Sequence, residues 1–236
     1  MSEPVNADAL KRNAVCFIIP LEAANFDRDF VLKLIDLEKA VRQHAGEFLC
    51  ERINDRQITK LVQFAHLVTP PLASSDFPAI GRLQDFYDTF GSVVFYSDEK
   101  SGDAAKHLAP TSEWAVLHEY FYGWIENLSD AECKEIVPDW IETCLVIGET
   151  PCSGNYILMA TEGPTAGRVF EFDHDGFEFG EVAQDLIEYV EKLIRPDGPR
   201  LVEFASHMRF IEDDPMVQWW IRELRDHQGH LVTTNA

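Results

Sequence analysis

The sequence predicts an α+β fold in which helices pack against an antiparallel β-meander. Two observations support this prediction. Short apolar segments between residues 140 and 175 are separated by turns rich in Gly and Pro, a pattern typical of hairpin-connected strands. Segments with the apolar spacing of amphipathic helices flank this region on both sides, and the clearest of them covers residues 180–199.

The elements before the meander are predicted from apolar spacing and from turn residues. Helical spacing begins at Asp29, continues to residue 53 and recurs more briefly over residues 56–67. Gly91 ends a short amphipathic helix, which residues 92–96 follow as a strand. Three further segments are a buried strand at 14–21, an aromatic-rich helix at 111–128 and a helix whose capping box is Ser129 with Glu132.

The meander strands are predicted at residues 140–147, 155–160 and 168–174. Beyond the helix at 180–199, residues 200–208 and 213–227 also have helical spacing, with Asp214 as N-cap and Pro215 at the first helical position. The predicted organisation has three regions within one compact unit: an N-terminal helical extension (1–60), an α+β core (61–195) and a C-terminal helical extension (196–236).

The chain is strongly acidic, and its charge is unevenly distributed. It has 41 Asp and Glu against 20 Lys and Arg, which gives a net charge of −21. Residues 1–60 carry 10 acidic and 9 basic side chains, so nearly all of the excess lies in residues 61–236. Such a surface repels nucleic acids and anionic membranes and attracts basic proteins. Acidity also keeps a protein soluble, so a merely solvated surface is the alternative interpretation.

The cysteines and the apolar segments indicate the cellular compartment. The five cysteines are odd in number, widely spaced and without a C-x-x-C pair, which favours free thiols in a reducing cytoplasm. Residues 14–21 are too short for a signal peptide, contain a proline and lack a cleavage pattern. No apolar run has the length of a membrane span.

The stretch GRVFEFDHDGFEFGE, residues 167–181, is the strongest candidate for a functional site. Side chains of a strand alternate between its faces. One face would carry Phe170, Phe172 and His174. The other face would carry Glu171, Asp173 and Asp175. His174 would then point away from both aspartates, so this triplet could not chelate one metal ion while the strand stays regular. The row of carboxylates indicates a solvated strand edge or a docking face for a basic partner, with a metal site as a third alternative.

The sequence lacks the motifs of several common catalytic chemistries. It has no G-x-S-x-G, no P-loop, no G-x-G-x-x-G and no H-E-x-x-H. Cys152 lies among acidic residues, where a thiolate is disfavoured. The aromatic residues between 114 and 124 are interpreted as core packing, with a ligand or partner groove as the alternative. We therefore predict a protein that is not an enzyme and has no metal site and no cofactor.

The order of motifs from Leu83 to Leu193 resembles the SUKH superfamily, which includes the fungal SMI/KNR regulators of cell-wall synthesis. The similar segments are LQDFYDTFGSVVF, IGETPCSGNYILM, GRVFEFDHD and VAQDLIEYVEKL. Asn155 stands where the family usually has Asp, and the last helix lacks the customary Ser-Phe. The resemblance implies an α+β fold without a catalytic centre. It also implies kinship with bacterial immunity proteins, which neutralise toxins that are often basic nucleases.

These observations together predict an acidic, cytoplasmic protein-binding module that neutralises a basic protein such as a toxin domain. Residues 169–191 hold eight acidic side chains and no Lys or Arg. The predicted partner-binding residues are Glu171, Asp173, Asp175, Glu178, Glu181, Asp185 and Glu188. One alternative is a scaffold or regulatory protein that binds several partners weakly. The other is a metal-binding or hydrolytic protein that uses Asp173, His174 and Asp175. The sequence leaves the oligomeric state open.

Overall fold

The computed structural model describes residues 28–43, 45–52, 58–71, 77–98, 102–207, 219–225 and 230–234. Its centre is one sheet of ten strands in the order β10-β9-β1-β2-β3-β4-β5-β6-β7-β8, and each neighbouring pair is antiparallel. The strands are β1 Ala45–Arg52, β2 Ile58–Thr69, β3 Ser92–Ser97, β4 Lys106–Leu108, β5 Leu145–Thr150, β6 Asn155–Met159, β7 Val169–Asp173, β8 Glu178–Ala183, β9 Trp219–Arg225 and β10 Leu231–Thr233. The predicted α+β fold with an antiparallel meander is confirmed.

Six α-helices lie among the described residues. They are α1 Arg28–Gln43, α2 Leu83–Thr89, α3 Trp114–Ile125, α4 Asp130–Ile136, α5 Leu186–Ile194 and α6 Gly198–His207. The predicted capping box starts α4, because the Ser129 side chain accepts a hydrogen bond from the Glu132 backbone N–H. The Glu132 carboxylate in turn accepts from the Ser129 backbone N–H at 2.8 Å.

The sheet separates two apolar clusters because successive strand residues point to opposite faces. In β7, Val169 belongs to the larger cluster, whereas Phe170 and Phe172 belong to the smaller one. Buried residues of α1, α2, α5 and α6 complete the larger cluster. Leu117 and Phe121 of α3 complete the smaller cluster on the opposite face. Consequently α3 lies across the sheet from α1, α5 and α6.

The predicted helices over residues 29–53 and 56–67 require correction. Helix α1 ends at Gln43, and the chain then forms β1 and β2, which pair from Ala45↔Ala65 to Arg52↔Ile58. Burial in β2 has a period of two, because Val62 and Phe64 are buried while Leu61, Gln63 and Ala65 are exposed. The side chain of Leu61 is nevertheless 61% exposed, and such outward apolar residues imitated helical spacing.

The prediction of a C-terminal helical extension is right for residues 200–207 and wrong for residues 219–225. Helix α6 covers the first segment, but residues 219–225 form β9, which pairs with β1. The tail adds β10 at the sheet edge. Pairing with β1 satisfies the backbone of β9, and that long-range contact outweighs the local helical spacing. The predicted cap residues Asp214 and Pro215, and the predicted strand at 14–21, lie outside the described residues.

Two predicted boundaries near the meander also shift. Residues 139–143 form a short 3-10 helix before β5 begins at Leu145. The predicted helix at 180–199 begins only at Leu186, because residues up to Ala183 form β8 and pair with β7. Asp185 caps α5 by accepting a hydrogen bond from the Glu188 backbone N–H at 2.8 Å. The cap fixes where the helix begins.

Candidate functional site: an acidic surface beside helix α3

The side chains of β7 alternate between the two faces of the sheet, as its sequence predicts. Phe172 is fully buried against Phe121 of α3, with ring centroids 5.3 Å apart. Phe170 stacks on Trp140 at 4.2 Å. Glu171 points to the opposite face, toward α5 and α6, where its partners are Tyr189 and Arg200. Phe170 and Phe172 of β7 are therefore part of the apolar core.

Glu171 belongs to a buried ion network rather than to an exposed acidic edge, which corrects the prediction for this residue. Lys106 of β4 is only 2% exposed, and its Nζ lies 3.2 Å from Glu171 Oε2 and 2.5 Å from Glu203 Oε1. Lys106 also donates to the Thr150 hydroxyl at 2.9 Å. Arg200 Nη1 lies 2.8 Å from Glu171 Oε2. The network ties α6 to the sheet.

The electrostatics of this network keep Glu171 ionised. Burial alone would raise the pKa of its carboxyl, but the cations of Lys106 and Arg200 and the hydroxyl of Tyr189 lower it to about 2. Burial raises the pKa of Glu203, which competes with Glu171 for the same two cations. A charge that is neutralised inside the fold offers little to a partner.

Three other predicted interface residues make local contacts. The Glu181 carboxylate lies 2.9 Å from Arg168 Nη1, and Asp185 serves as the α5 cap. The Glu188 carboxylate lies 2.8 Å from Lys192 Nζ, and this hydrogen bond lowers the pKa of Glu188. These residues stabilise the β8–α5 junction. Of the predicted set, Asp173, Asp175, Glu178 and Glu181 are exposed, and of these four only Glu181 forms an ion pair with a described Lys or Arg.

The triplet Asp173-His174-Asp175 does not continue the strand, because β7 ends at Asp173. The Asp175 backbone N–H donates to Asp173 Oδ1 at 3.0 Å and turns the chain. One ligand atom from each of the three residues therefore lies within 4.8 Å of the others. The prediction that His174 points away from both aspartates is thus wrong, since it assumed a regular strand. Histidine nitrogen with two carboxylates is a set that divalent ions accept.

Asn155 fixes the orientation of His174. The Asn155 side-chain oxygen lies 2.7 Å from His174 Nδ1 and accepts from the His174 backbone N–H at 3.0 Å. The Nε2 atom is left facing Asp175 Oδ1 at 3.1 Å. When His174 is protonated, this contact is an ion pair. It lies at the surface, because the Asp175 side chain is 79% exposed.

A second histidine adjoins the same amide and links the triplet to the ion network. His207 Nε2 lies 3.4 Å from Asn155 Nδ2 at the end of α6. Burial lowers the pKa of His207, and the cation of Lys106 lowers it further. The neutral ring therefore accepts from the Asn155 amide. Sequence reasoning missed this link because its residues come from separate segments of the chain.

The aromatic residues of α3 divide between the core and the surface. Phe121 is buried, as the core-packing interpretation predicts. The exposed fractions of Val116, Tyr120 and Trp124 are 47%, 63% and 37%. These three residues recur every four positions, so they form one row along the outer side of the helix. We call this row the α3 stripe. The Trp124 ring lies 5.0 Å from the His174 ring, which joins the stripe to the triplet.

Acidic side chains dominate the segment that carries the α3 stripe. Residues 109–149 contain nine Asp and Glu and one Lys. Eight of these acids are exposed, namely Glu113, Glu119, Glu126, Asp130, Glu132, Glu135, Asp139 and Glu142. None of the eight has an ion pair within the described parts of the chain. An exposed apolar row within a segment that carries eight exposed carboxylates without an ion pair has the composition of a protein-binding surface.

The candidate nucleophiles make local contacts or lie buried. The Ser153 hydroxyl donates to the Thr150 carbonyl oxygen at 2.7 Å. Burial raises the pKa of the Cys144 thiol to about 12, so this sulfur is uncharged at neutral pH. Cys152 is exposed.

Comparisons with family models, curated proteins and solved structures find no match for this chain. The resemblance to the SUKH superfamily therefore stays a prediction. Among the described residues, no helix has both the length and the apolar character that crossing a membrane requires.

Proposed function

We propose that this protein is a non-enzymatic, cytoplasmic binding module that recognises a basic protein. One observation carries the proposal: the surface around α3 concentrates exposed carboxylates that have no cation partner among the described residues. The exposed Asp173 and Asp175 lie at the end of the same surface, because Trp124 contacts the intervening His174. Basic side chains of a partner would supply the missing counter-charges.

The chemistry of the surface favours one class of partner. Clustered carboxylates repel nucleic acids and other acidic proteins, whereas they accelerate the approach of a basic protein. A basic nuclease toxin fits this description, because an acidic inhibitor can cover the surface that binds phosphates. Neutralisation of such a toxin is therefore our leading proposal. A regulatory scaffold that binds several basic partners is the second form of the same activity.

The proximity of Asp173, His174 and Asp175 supports a different candidate function, the binding of a divalent metal ion. Under the leading proposal these aspartates instead provide charge for the partner. Thermal unfolding with and without metal separates the two functions, and the expected result is argued in the Discussion.

The test is capture from the lysate of the native organism by the tagged protein, at low and high salt, with identification by mass spectrometry. The test variant is Asp173→Lys with Asp175→Lys, and the control variant is Asp36→Lys with Glu38→Lys on α1. Both variants change the net charge equally, but α1 lies across the sheet from α3. We expect one basic protein that the wild type and the control capture at low salt and that the test variant loses.

Two results would decide against parts of this proposal. Equal capture by the test and control variants would show that Asp173 and Asp175 do not belong to the acidic binding surface. Capture of many proteins, each weakly, would favour the regulatory scaffold over a dedicated inhibitor. The first readout compares two variants of matched charge, so general attraction to an acidic protein does not affect it.

A further inference from the structure

We propose that α3 is a docking helix, and that its occupant is a basic amphipathic helix of the partner. Apolar side chains of that helix would cover the α3 stripe, and its Lys or Arg side chains would approach Glu119 and Glu126. This inference rests on the proposed function and names the site and the shape of what binds there.

The first observation is the row itself. Val116, Tyr120 and Trp124 follow the i, i+4, i+8 pattern, which forms a continuous ridge on a helix. Such ridges pack into the grooves of another helix, and this one extends about 12 Å, or roughly two turns. A scattered exposed apolar residue needs no explanation, but three in one row indicate a contact surface.

The second observation is Gly123, which lies inside α3 next to the stripe. A glycine within a helix costs about 1 kcal/mol relative to alanine. Apart from its two chain neighbours and the nearby backbone of α3 itself, no described heavy atom lies within 4 Å of where its Cβ would be, so packing against the rest of the fold does not require a glycine. A missing side chain beside Tyr120 leaves room for a second backbone to approach, as it does between closely packed helices.

The third observation is the charge on the other side of Gly123. Glu119 is four residues before this glycine and Glu126 is three residues after it, so both carboxylates line the same side of the helix. Both are exposed and have no ion pair with another described residue. A partner helix lying over Gly123 would bring its flanking Lys or Arg side chains against these two carboxylates.

The same charges exclude a second copy of this chain as the occupant. Two α3 surfaces in contact would oppose two segments that each carry nine acids and one lysine. Like charges at that density repel, and the one lysine, Lys134, cannot compensate nine carboxylates within residues 109–149. A partner of opposite charge removes this penalty.

The test uses two synthetic helical peptides with the same lysines, one with leucines along one face and one with serines in their place. Binding is measured by fluorescence anisotropy at about 150 mM salt, where weak surface attraction is screened. We expect the leucine peptide to bind the wild type about tenfold or more tightly than the serine peptide. Tyr120→Ser should remove this preference, because Tyr120 is at the centre of the stripe.

The matched control is Leu61→Ser, which removes an equally exposed apolar side chain from β2. It should bind both peptides as the wild type does. Equal affinity of the two peptides for the wild type, or an unchanged preference in Tyr120→Ser, would overturn the docking-helix proposal. In either case, the proposed function would still be supported if the Asp173→Lys, Asp175→Lys variant lost the captured partner. Failure of the docking-helix proposal can therefore be distinguished from failure of the proposed function.

Discussion

Lys106 and Glu171 meet beneath α6, with Lys106 Nζ 3.2 Å from Glu171 Oε2 and both side chains largely withdrawn from water. The two residues are 65 positions apart in the sequence, and Arg200 of α6 binds the same carboxylate oxygen. A buried pair of this kind is tolerated only while both charges are satisfied. Lys106 and Arg200 thus share Glu171 as a partner and link α6 to strands β4 and β7.

Lys106→Met is the first prediction that follows from this contact. The substitution keeps most of the length of the side chain but leaves Glu171 and Glu203 with one cation, Arg200, between them. We expect the free energy of unfolding in urea to fall by about 3–5 kcal/mol. Lys33→Met is the matched control, because Lys33 is exposed where it pairs with Glu191 and should contribute less than about 1 kcal/mol. Equal losses in both variants would contradict this account.

The second prediction concerns the dependence of stability on pH. The pKa of Glu171 is about 2 in the folded protein, against an ordinary value of 4.5. Because folding lowers this pKa, the contribution of Glu171 is fully present above about pH 4.5 and is lost as the pH falls toward 2. We expect unfolding experiments across this window to show a steep loss of stability in the wild type and a shallower loss in Glu171→Gln.

Glu203→Gln is the control for the pH experiment. Burial raises the pKa of Glu203, so its titration lies above pH 4.5 and has the opposite sign: stability increases as the carboxyl takes up its proton. Replacing Glu203 should change how stability depends on pH above pH 4.5. It should leave the loss of stability below pH 4.5 unchanged. If Glu203→Gln instead abolished the acid loss, Glu203 rather than Glu171 would be the carboxylate that the cations hold.

The third prediction tests the aromatic core on the other side of β7. Phe172 is fully buried among the rings of Phe121, Tyr156, Phe177 and Phe179. Phe172→Ala should therefore cost about 3–5 kcal/mol of unfolding free energy. Tyr120→Ala, a comparable aromatic truncation on the surface, should change stability by less than about 0.5 kcal/mol. A large loss in Tyr120→Ala would show that the α3 stripe supports the fold.

The contrast between Phe172 and Glu171 shows what the sequence could and could not predict. Alternation along β7 places the two residues on opposite faces, and local spacing is enough to predict that. What covers each face depends on contacts between distant segments. Lys106 is a single cation within the apolar segment around Ala105 and Leu108. This position is the one local indication in the sequence that a carboxylate such as Glu171 has a buried cationic partner.

Strand β2 and helix α3 show a second limit. Apolar residues on the outer faces of both elements, such as Leu61 and Tyr120, blurred the periodicity that separates strand from helix and core from surface. Pairing with β1 and β3 decides that β2 is a strand, and such pairing is set by long-range contacts. Exposed apolar residues therefore led both to the wrong helix prediction and to the wrong assignment of Tyr120 and Trp124 to the core.

The fourth prediction separates structural from binding roles among the predicted interface residues. Asp185 caps α5, so Asp185→Ala should destabilise the protein by about 1 kcal/mol. Asp185→Asn should retain most of that stability, because asparagine caps as well as aspartate. Thermal unfolding of the two variants measures the difference. Equal melting temperatures of the two variants would show that the side-chain cap contributes nothing to stability.

The fifth prediction tests metal binding at Asp173, His174 and Asp175. A metal at a hundred times its dissociation constant stabilises a folded protein by about 2.7 kcal/mol, which corresponds to a shift of several degrees in melting temperature. We expect no shift beyond about 1 °C when the chelator-treated protein receives Zn²⁺ or Mn²⁺, because the Asp175 side chain is mostly exposed and water competes for its oxygens.

The variant His174→Ala makes this result specific to the triplet. A metal-dependent shift that persists in His174→Ala would come from histidines elsewhere and would leave the binding-module proposal intact. A shift that the wild type shows and His174→Ala loses would establish a metal site. Asp173 and Asp175 would then be ligands rather than free charges, and the acidic surface available to a basic partner would be confined to α3 and its neighbouring carboxylates.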